Sequence, residues 1–107
     1  MTVRAFITGL AGTVLTPAER AFLRESAPWG LIVFKRNVET PAQVTRLVAS
    51  FRDAVGRDAA VLVDQEGGRV QRLGPPHWPA YPPGASYGQI YDRDAAAGLR
   101  AAISARA

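Results

Sequence analysis

Residues 61–73, VLVDQEGGRVQRL, concentrate the side chains best suited to chemistry. An apolar, β-branched half runs straight into the carboxylates Asp64 and Glu66, the amides Gln65 and Gln71, the guanidiniums Arg69 and Arg72, and the Gly67-Gly68 pair. A carboxylate placed directly after such a run can accept hydrogen bonds from ligand hydroxyls and so fix a sugar-like molecule. An aspartate there can equally cap a turn by accepting from backbone donors, and spacing leaves both readings open. Arg69 and Arg72 stand three apart and share a face if this stretch makes a helical turn; either can fork onto a carboxylate or ligand oxygen, or stand in solvent. The glycine pair permits a sharp turn or a close approach to a ligand. It belongs to neither of the phosphate-binding patterns G-x-x-x-x-G-K-[ST] and G-x-G-x-x-G. Asp64 and Glu66 are two apart, so on an extended chain they point to opposite sides and do not make the acid/nucleophile pair of a glycosidase.

Other chemistries are thinly represented. His77 is the only histidine. Its HWPAYPP setting reads as a loop residue stacked on Trp78 or Tyr81 rather than a general acid. There is no cysteine, which removes disulfides, thiolate catalysis and cysteine-bound zinc, and suits a reducing compartment. Neither a serine-histidine-acid set nor a histidine/carboxylate metal constellation appears. The formal charge is +4 with a pI near 10.3, which raises the question of nucleic acid or anionic membranes. The basic residues, all arginine except Lys35, are scattered without a basic cluster or a nucleic-acid motif. They read as solvated faces, with no nucleic acid and no membrane as partner. No stretch approaches the roughly 18 apolar residues of a membrane span, and MTVRAFITGL lacks the apolar run and cleavage site of a signal peptide.

The elements that must position these residues follow from the pattern. Residues 3–8 read as a strand. Thr16, Pro17 and Glu19 form an N-cap, a first-position proline and a T-x-x-E capping box for a helix over residues 17 to about 26. Residues 29–34, WGLIVF, are continuously apolar, as in a parallel strand buried on both faces. KRNVE reads as a polar loop. Thr40, Pro41 and Gln43 repeat the capping device with T-x-x-Q. Val44, Leu47, Val48, Phe51 and Val55 then recur at helical spacing until Gly56. Residues 59–63 make a third strand. Strands alternating with helices over short connections imply right-handed βαβ units and a parallel sheet. GPPHWPAYPPGA is expected to wrap a surface without regular structure, and the alanine-rich stretch from Ser86 to be helical, its longer part capped by Asp92. In such folds ligands gather at the carboxyl ends of the strands. Thr8-Gly9, Lys35-Arg36-Asn37 and the loop opening at Asp64 therefore share one rim. A complete (β/α)8 barrel needs about 250 residues. These 107 residues therefore read as the first part of a larger α/β domain, with sheet edges that leave the isolated chain poorly stable or self-associating.

GLIVFKRN at residues 30–37, together with DQEGGRVQRL at residues 64–73, resembles the N-terminal part of bacterial β-N-acetylhexosaminidases of glycoside hydrolase family 3. The resemblance runs along the whole chain, and GPPHWPAYPPGASYG looks like one branch of that family. It implies an α/β fold, the N-terminal fragment of a TIM-type (β/α)8 barrel with about three parallel strands and intervening helices. It implies removal of terminal non-reducing β-linked N-acetylglucosamine, from peptidoglycan-derived muropeptides in the cytoplasm. The implied mechanism is retaining, with an aspartate nucleophile, a histidine acid/base on a mobile loop, and no metal or organic cofactor. Asp64 corresponds to the family's sugar-binding aspartate and Arg72 to its binding-site arginine, while Arg36 and Asn37 are assigned rim support. The K-H-F-P-G-H-type loop and the nucleophile are expected beyond residue 107, so the resemblance implies no catalytic residue in this chain and no activity for it alone. His77 does not match the catalytic histidine's context, and Gly9 to Ala11 depart from relatives that carry acidic residues there. Two other readings compete. One keeps the fold for a family 3 β-glucosidase; the other is a small α/β module binding a sugar or anion.

Overall fold

Three apolar runs become the strands of one parallel sheet, β1 (Arg4–Thr8), β2 (Pro28–Val33) and β3 (Ala60–Val63), in the order β1-β2-β3. The structure is a computed structural model that describes residues 2–105. The chain divides into two compact units, one ending at Asp64 and the other beginning at Gln65. The sheet and its two crossover helices make up the first.

Helix α1 (Pro17–Ser26) starts where the capping pattern predicts. Thr16 Oγ1 accepts from Glu19 N at 3.1 Å, and Glu19 Oε1 accepts from Thr16 N at 3.0 Å. It ends on Ala27, a left-handed residue at φ 47° whose N–H returns to Leu23 O. Pro28 then opens β2, one residue ahead of the sequence expectation, in register with Arg4 of β1. A proline is tolerated at a strand's first residue, where no ladder donor is needed. Phe34, expected in the strand, leaves it for a 3-10 turn over Lys35–Asn37, so KRN is ordered structure rather than open loop.

Helix α2 (Pro41–Val55) closes on Gly56 at φ 73°. Its expected T-x-x-Q box is only half formed. Thr40 Oγ1 accepts from Gln43 N, but Gln43 Oε1 accepts from Glu39 N, one residue before the cap. The longer reach frees the rest of the amide for other bonds.

Both helices lie on the same side of the sheet. They pack on each other, and Arg20 of α1 bridges to Asp53 of α2 at 2.8 Å. Between helices and sheet lies one continuous core of Leu10, Leu23, Leu31, Val33, Leu47, Phe51, Ala54, Val55 and Ala59. The expectation that β2 is covered on both faces is met on this one. On the opposite face the register aligns Ile7 with Gly30 and Ile32 with Leu62. Ile7 and Leu62 remain 45% and 37% exposed. The strand order β1-β2-β3 advances without reversal.

Arginines brace this unit at its other end, contrary to the expectation that they merely decorate solvated faces. Arg57 donates to the carbonyls of Pro28 and Trp29, and Arg52 to Ala59 O.

The second unit begins with a small antiparallel hairpin, β4 (Gln65–Gly67) and β5 (Val70–Gln71). The stretch after Asp64 is therefore neither an irregular loop nor a helical turn, so the face shared by Arg69 and Arg72 does not arise. Gly67 and Gly68 turn the chain at φ 83° and 59°. A Cβ on Gly67 would stand 2.2 Å from Pro82 O, and one on Gly68 would stand 2.9 Å from Pro83 Cβ. The glycine pair thus serves a tight turn and the close passage of the chain's own proline-rich segment. Two glutamines pin that segment. Gln65 exchanges both amide atoms with Leu73, while Gln71 accepts from Tyr81 N and donates to Leu73 O and Pro79 O.

Two helices follow in place of one, α3 (Gly84–Arg93) and α4 (Ala95–Ser104). The break comes at Asp94, whose carboxylate accepts from Ala97 N at 3.1 Å. Asp94, not Asp92, is the cap. Gly98 is buried where α4 meets α3, and a Cβ there would fall 2.6 Å from the Tyr91 Cα.

Candidate functional site

The parallel sheet brings the carboxyl ends of β1, β2 and β3 to one edge of the first unit, as the strand-end rule requires. Thr8 ends β1 and Gly9 follows it, Phe34 to Asn37 follow β2, and Asp64 follows β3 directly after the final register pair Val33 and Val63. Asp64 is half-buried. A carboxylate at a strand end can accept hydrogen bonds from ligand hydroxyls.

The loop between β1 and α1 forms part of this rim, and side chains from elsewhere hold it at every residue from Leu10 to Thr13. Arg36 Nε and Asn37 Nδ2 each donate to Leu10 O at 3.0 Å. Asn37 Nδ2 also donates to Gly12 O at 2.7 Å, and its Oδ1 accepts from Phe34 N at 2.9 Å. Glu19 Oε2 accepts from Ala11 N at 2.9 Å. Gln43 Nε2 donates to Thr13 O and to Asn37 O, both at 2.8 Å. Asn37 is 1% exposed and Gln43 6%. These buried amides satisfy the loop carbonyls, and the bond from Gln43 to the Asn37 backbone carbonyl joins the two residues into one network.

Burial alone would raise the Glu19 pKa. Hydrogen bonds from the Thr16 backbone, the Ala11 backbone and the Thr16 side chain outweigh it and hold the carboxyl below its ordinary value.

Arg36 and Asn37 were expected to give only rim support, and Asn37 does this as the central brace. Sequence reasoning did not find the roles of Gln43 and Glu19 in holding the loop. Both carry a signal as capping residues, but nothing in the sequence says that a second arm of each reaches the β1–α1 loop.

Arg72 lies in the second unit, half-buried just after β5. Glu66 is exposed in β4. His77 stacks edge-on against Trp78 with ring centroids 6.0 Å apart, as its loop setting suggested. Within the second unit a concavity of about 250 Å³ is lined by residues that include Glu66, Tyr81, Pro82 and Tyr87. Among the described residues no group of three or more histidine, cysteine, aspartate or glutamate side chains is placed to hold a metal ion. No helix among them is long and apolar enough to cross a membrane.

No family model matches the sequence. Individual relatives do. The chain is 42% identical over 99 residues, 91% of its length, to a β-hexosaminidase of Xylella fastidiosa, and 43% identical over 96 residues to one of Xanthomonas axonopodis. It spans 29% and 28% of the lengths of those two relatives. Among solved structures, NagZ of Neisseria gonorrhoeae in complex with N-trifluoroacetyl-D-glucosamine superposes with a TM-score of 0.84 at 33% identity, covering 94% of this chain and 30% of that one. A family 3 β-N-acetylglucosaminidase from a Paenibacillus species gives 0.70 at 29% identity, over 78% of this chain and 16% of that one. The resemblance carried by GLIVFKRN and DQEGGRVQRL thus extends, over 91% of the chain in sequence and 94% in backbone, to the N-terminal part of proteins of a glycosidase family.

Proposed function

We propose that this chain is the N-terminal part of a family 3 β-N-acetylhexosaminidase. In the intact protein it would hydrolyse terminal non-reducing β-linked N-acetylglucosamine from muropeptide fragments in the cytoplasm. What carries the reading is the position of Asp64 at the carboxyl end of β3, in a chain that matches β-hexosaminidases over nearly its whole length. The winding of β1-β2-β3 under helices on one side, with an apolar opposite face, supports a (β/α)8 barrel in which that face lines the interior.

Within such a protein Asp64 accepts hydrogen bonds from hydroxyls of the N-acetylglucosamine ring, and Arg72 donates to its oxygens. Their work is orientation. They hold the anomeric carbon in line with a nucleophile, and the binding energy of the rest of the sugar is used to keep it there. The bond-breaking groups, an aspartate nucleophile and a histidine acid/base in a retaining double displacement, belong to the remainder of the protein, and this chain alone is inactive. No metal or organic cofactor enters the scheme.

The test is hydrolysis by the intact gene product of a chromogenic β-N-acetylglucosaminide beside the matching β-glucoside. Preferential turnover of the first is expected. Turnover of the glucoside alone, or of neither, would refute the reading, as would activity in the 107-residue chain by itself.

A further inference from the structure

Arg36 is fixed on two sides and open on a third. Its Nε donates to Leu10 O at 3.0 Å, and its guanidinium carbon lies 4.7 Å from the centroid of the Phe34 ring. These two contacts set both the position and the plane of the guanidinium. Yet the residue is exposed, and among the described residues its two Nη atoms donate to no protein acceptor and pair with no carboxylate. Gly9 adjoins the guanidinium: a Cβ there would lie 3.3 Å from Arg36 Nη2 and 3.4 Å from the Phe34 ring. Position 9 thus supplies no side chain to occupy or neutralise the fork.

A guanidinium that commits Nε to the protein still presents the Nη1 and Nη2 hydrogens as a parallel pair. That pair matches the two oxygens of a carboxylate. The fork stands at the carboxyl end of β2, the strand paired with β3, whose own carboxyl end carries Asp64. A ligand held by Asp64 therefore has an immobilised cation on the neighbouring strand.

We propose that Arg36, beside the side-chain-free Gly9, is a carboxylate-binding subsite that recognises an acid group on the unit linked to the N-acetylglucosamine. The subsite rests on the glycosidase reading for its sugar, while the fork itself depends only on Arg36, Phe34, Leu10 and Gly9. Recognition by one guanidinium favours a planar monoanion. A phosphate, carrying more charge, gains most from several converging cations or backbone donors.

The experiment uses the intact gene product and a pair of non-hydrolysable β-thioglycosides of N-acetylglucosamine, one with a propionic acid aglycone and the other with its methyl ester, titrated by calorimetry. The acid is expected to bind about tenfold more tightly than the ester, the size of one charge-assisted contact. In Arg36→Gln that ratio falls to about one, and Arg36→Lys restores part of it. Gly9→Asp, which keeps the arginine and supplies an internal carboxylate beside its Nη2, also brings it to one or below. This second variant decides the matter if Arg36→Gln does not fold. A wild-type ratio near one, or a ratio unchanged in Arg36→Gln and Gly9→Asp, overturns the proposal. Loss of the acid preference to millimolar inorganic phosphate but not to acetate overturns the choice of carboxylate. Failure to hydrolyse the neutral chromogenic glycoside would instead count against the glycosidase reading, and the acid-to-ester ratio is measured independently of it.

Discussion

Asn37 Nδ2 donates to Leu10 O across 27 positions of sequence, so a residue at the end of β2 fixes the loop at the end of β1. The same nitrogen reaches Gly12 O, and the same side chain's oxygen takes Phe34 N. Asn37→Ala leaves the part-buried Gly12 O and Phe34 N without these partners, whereas Leu10 O keeps Arg36. Two stranded groups at about 1–3 kcal/mol each predict a loss of about 3 kcal/mol. Urea denaturation of the intact protein measures it, and a loss under 1 kcal/mol would show that water replaces the amide.

Two helical glycines should respond in opposite directions. Gly88 in α3 has nothing within 4 Å of a Cβ, so Gly88→Ala gains helix propensity and should stabilise by about 0.5–1 kcal/mol. Gly98 in α4 would drive its Cβ to 2.6 Å from Tyr91 Cα. Gly98→Ala should therefore separate α3 from α4 and cost about 2 kcal/mol. Thermal melts of the two variants side by side check the sign of each.

The carboxylate of Asp64 is expected to matter to catalysis more than to folding. Asp64→Ala in the intact protein should lower kcat/KM by on the order of a hundredfold or more, from loss of charge-assisted bonds worth about 1.5–3 kcal/mol each. Asp64→Asn should fall between. Steady-state kinetics with the chromogenic substrate reads this, and unchanged values would remove Asp64 from the site.

Glu19 carries a pH signature. Its folded pKa is depressed, so it contributes stability that is present above the ordinary glutamate pKa and is lost as pH falls through the lower folded value. Glu19→Gln should accordingly be less stable than the parent at neutral pH, and the gap should close on acidification below the usual carboxylate range. Parallel denaturation curves at pH 7 and pH 3 make the comparison. A gap that widens toward acid would contradict the assigned hydrogen bonds.

The uncovered sheet face predicts association of the isolated chain. Ile7 and Leu62 stand exposed on it, and β1 and β3 are both edge strands of their sheet. The chain alone should elute above its monomer mass, 11.5 kDa, and Ile7→Lys with Leu62→Lys should shift it toward monomer. Elution as a monomer before substitution would show that the face is tolerated in water.

What the sequence made legible was local. Thr16-Pro17 and Thr40-Pro41 announce their helices because an N-cap and a first-position proline act on neighbouring residues, and both helices begin there. The parallel sheet follows from the alternation of elements. The hairpin after Asp64 was missed because its determinants are remote. Gly67 and Gly68 turn against Pro82 and Pro83, and Gln71 is satisfied by Pro79 and Tyr81. The cap falls on Asp94 and not on the expected Asp92, because only the backbone decides which of two nearby acids faces free N–H groups. The site was legible as a rim, through the strand-end rule, but the reach of Gln43 to Thr13 is a matter of tertiary geometry that no spacing encodes.

The bracing of the β1–α1 loop also bears on the order in which the protein is made. Leu10, Gly12 and Thr13 leave the ribosome some 25 to 30 residues before Asn37 and Gln43. The loop therefore waits, its carbonyls hydrated, while α1 and β2 are synthesised, and takes its final shape only when α2 begins to dock. Closing contacts of that sequence separation costs loop entropy before it returns any stability. Completion of this rim accordingly requires α2 as well as β1 and α1.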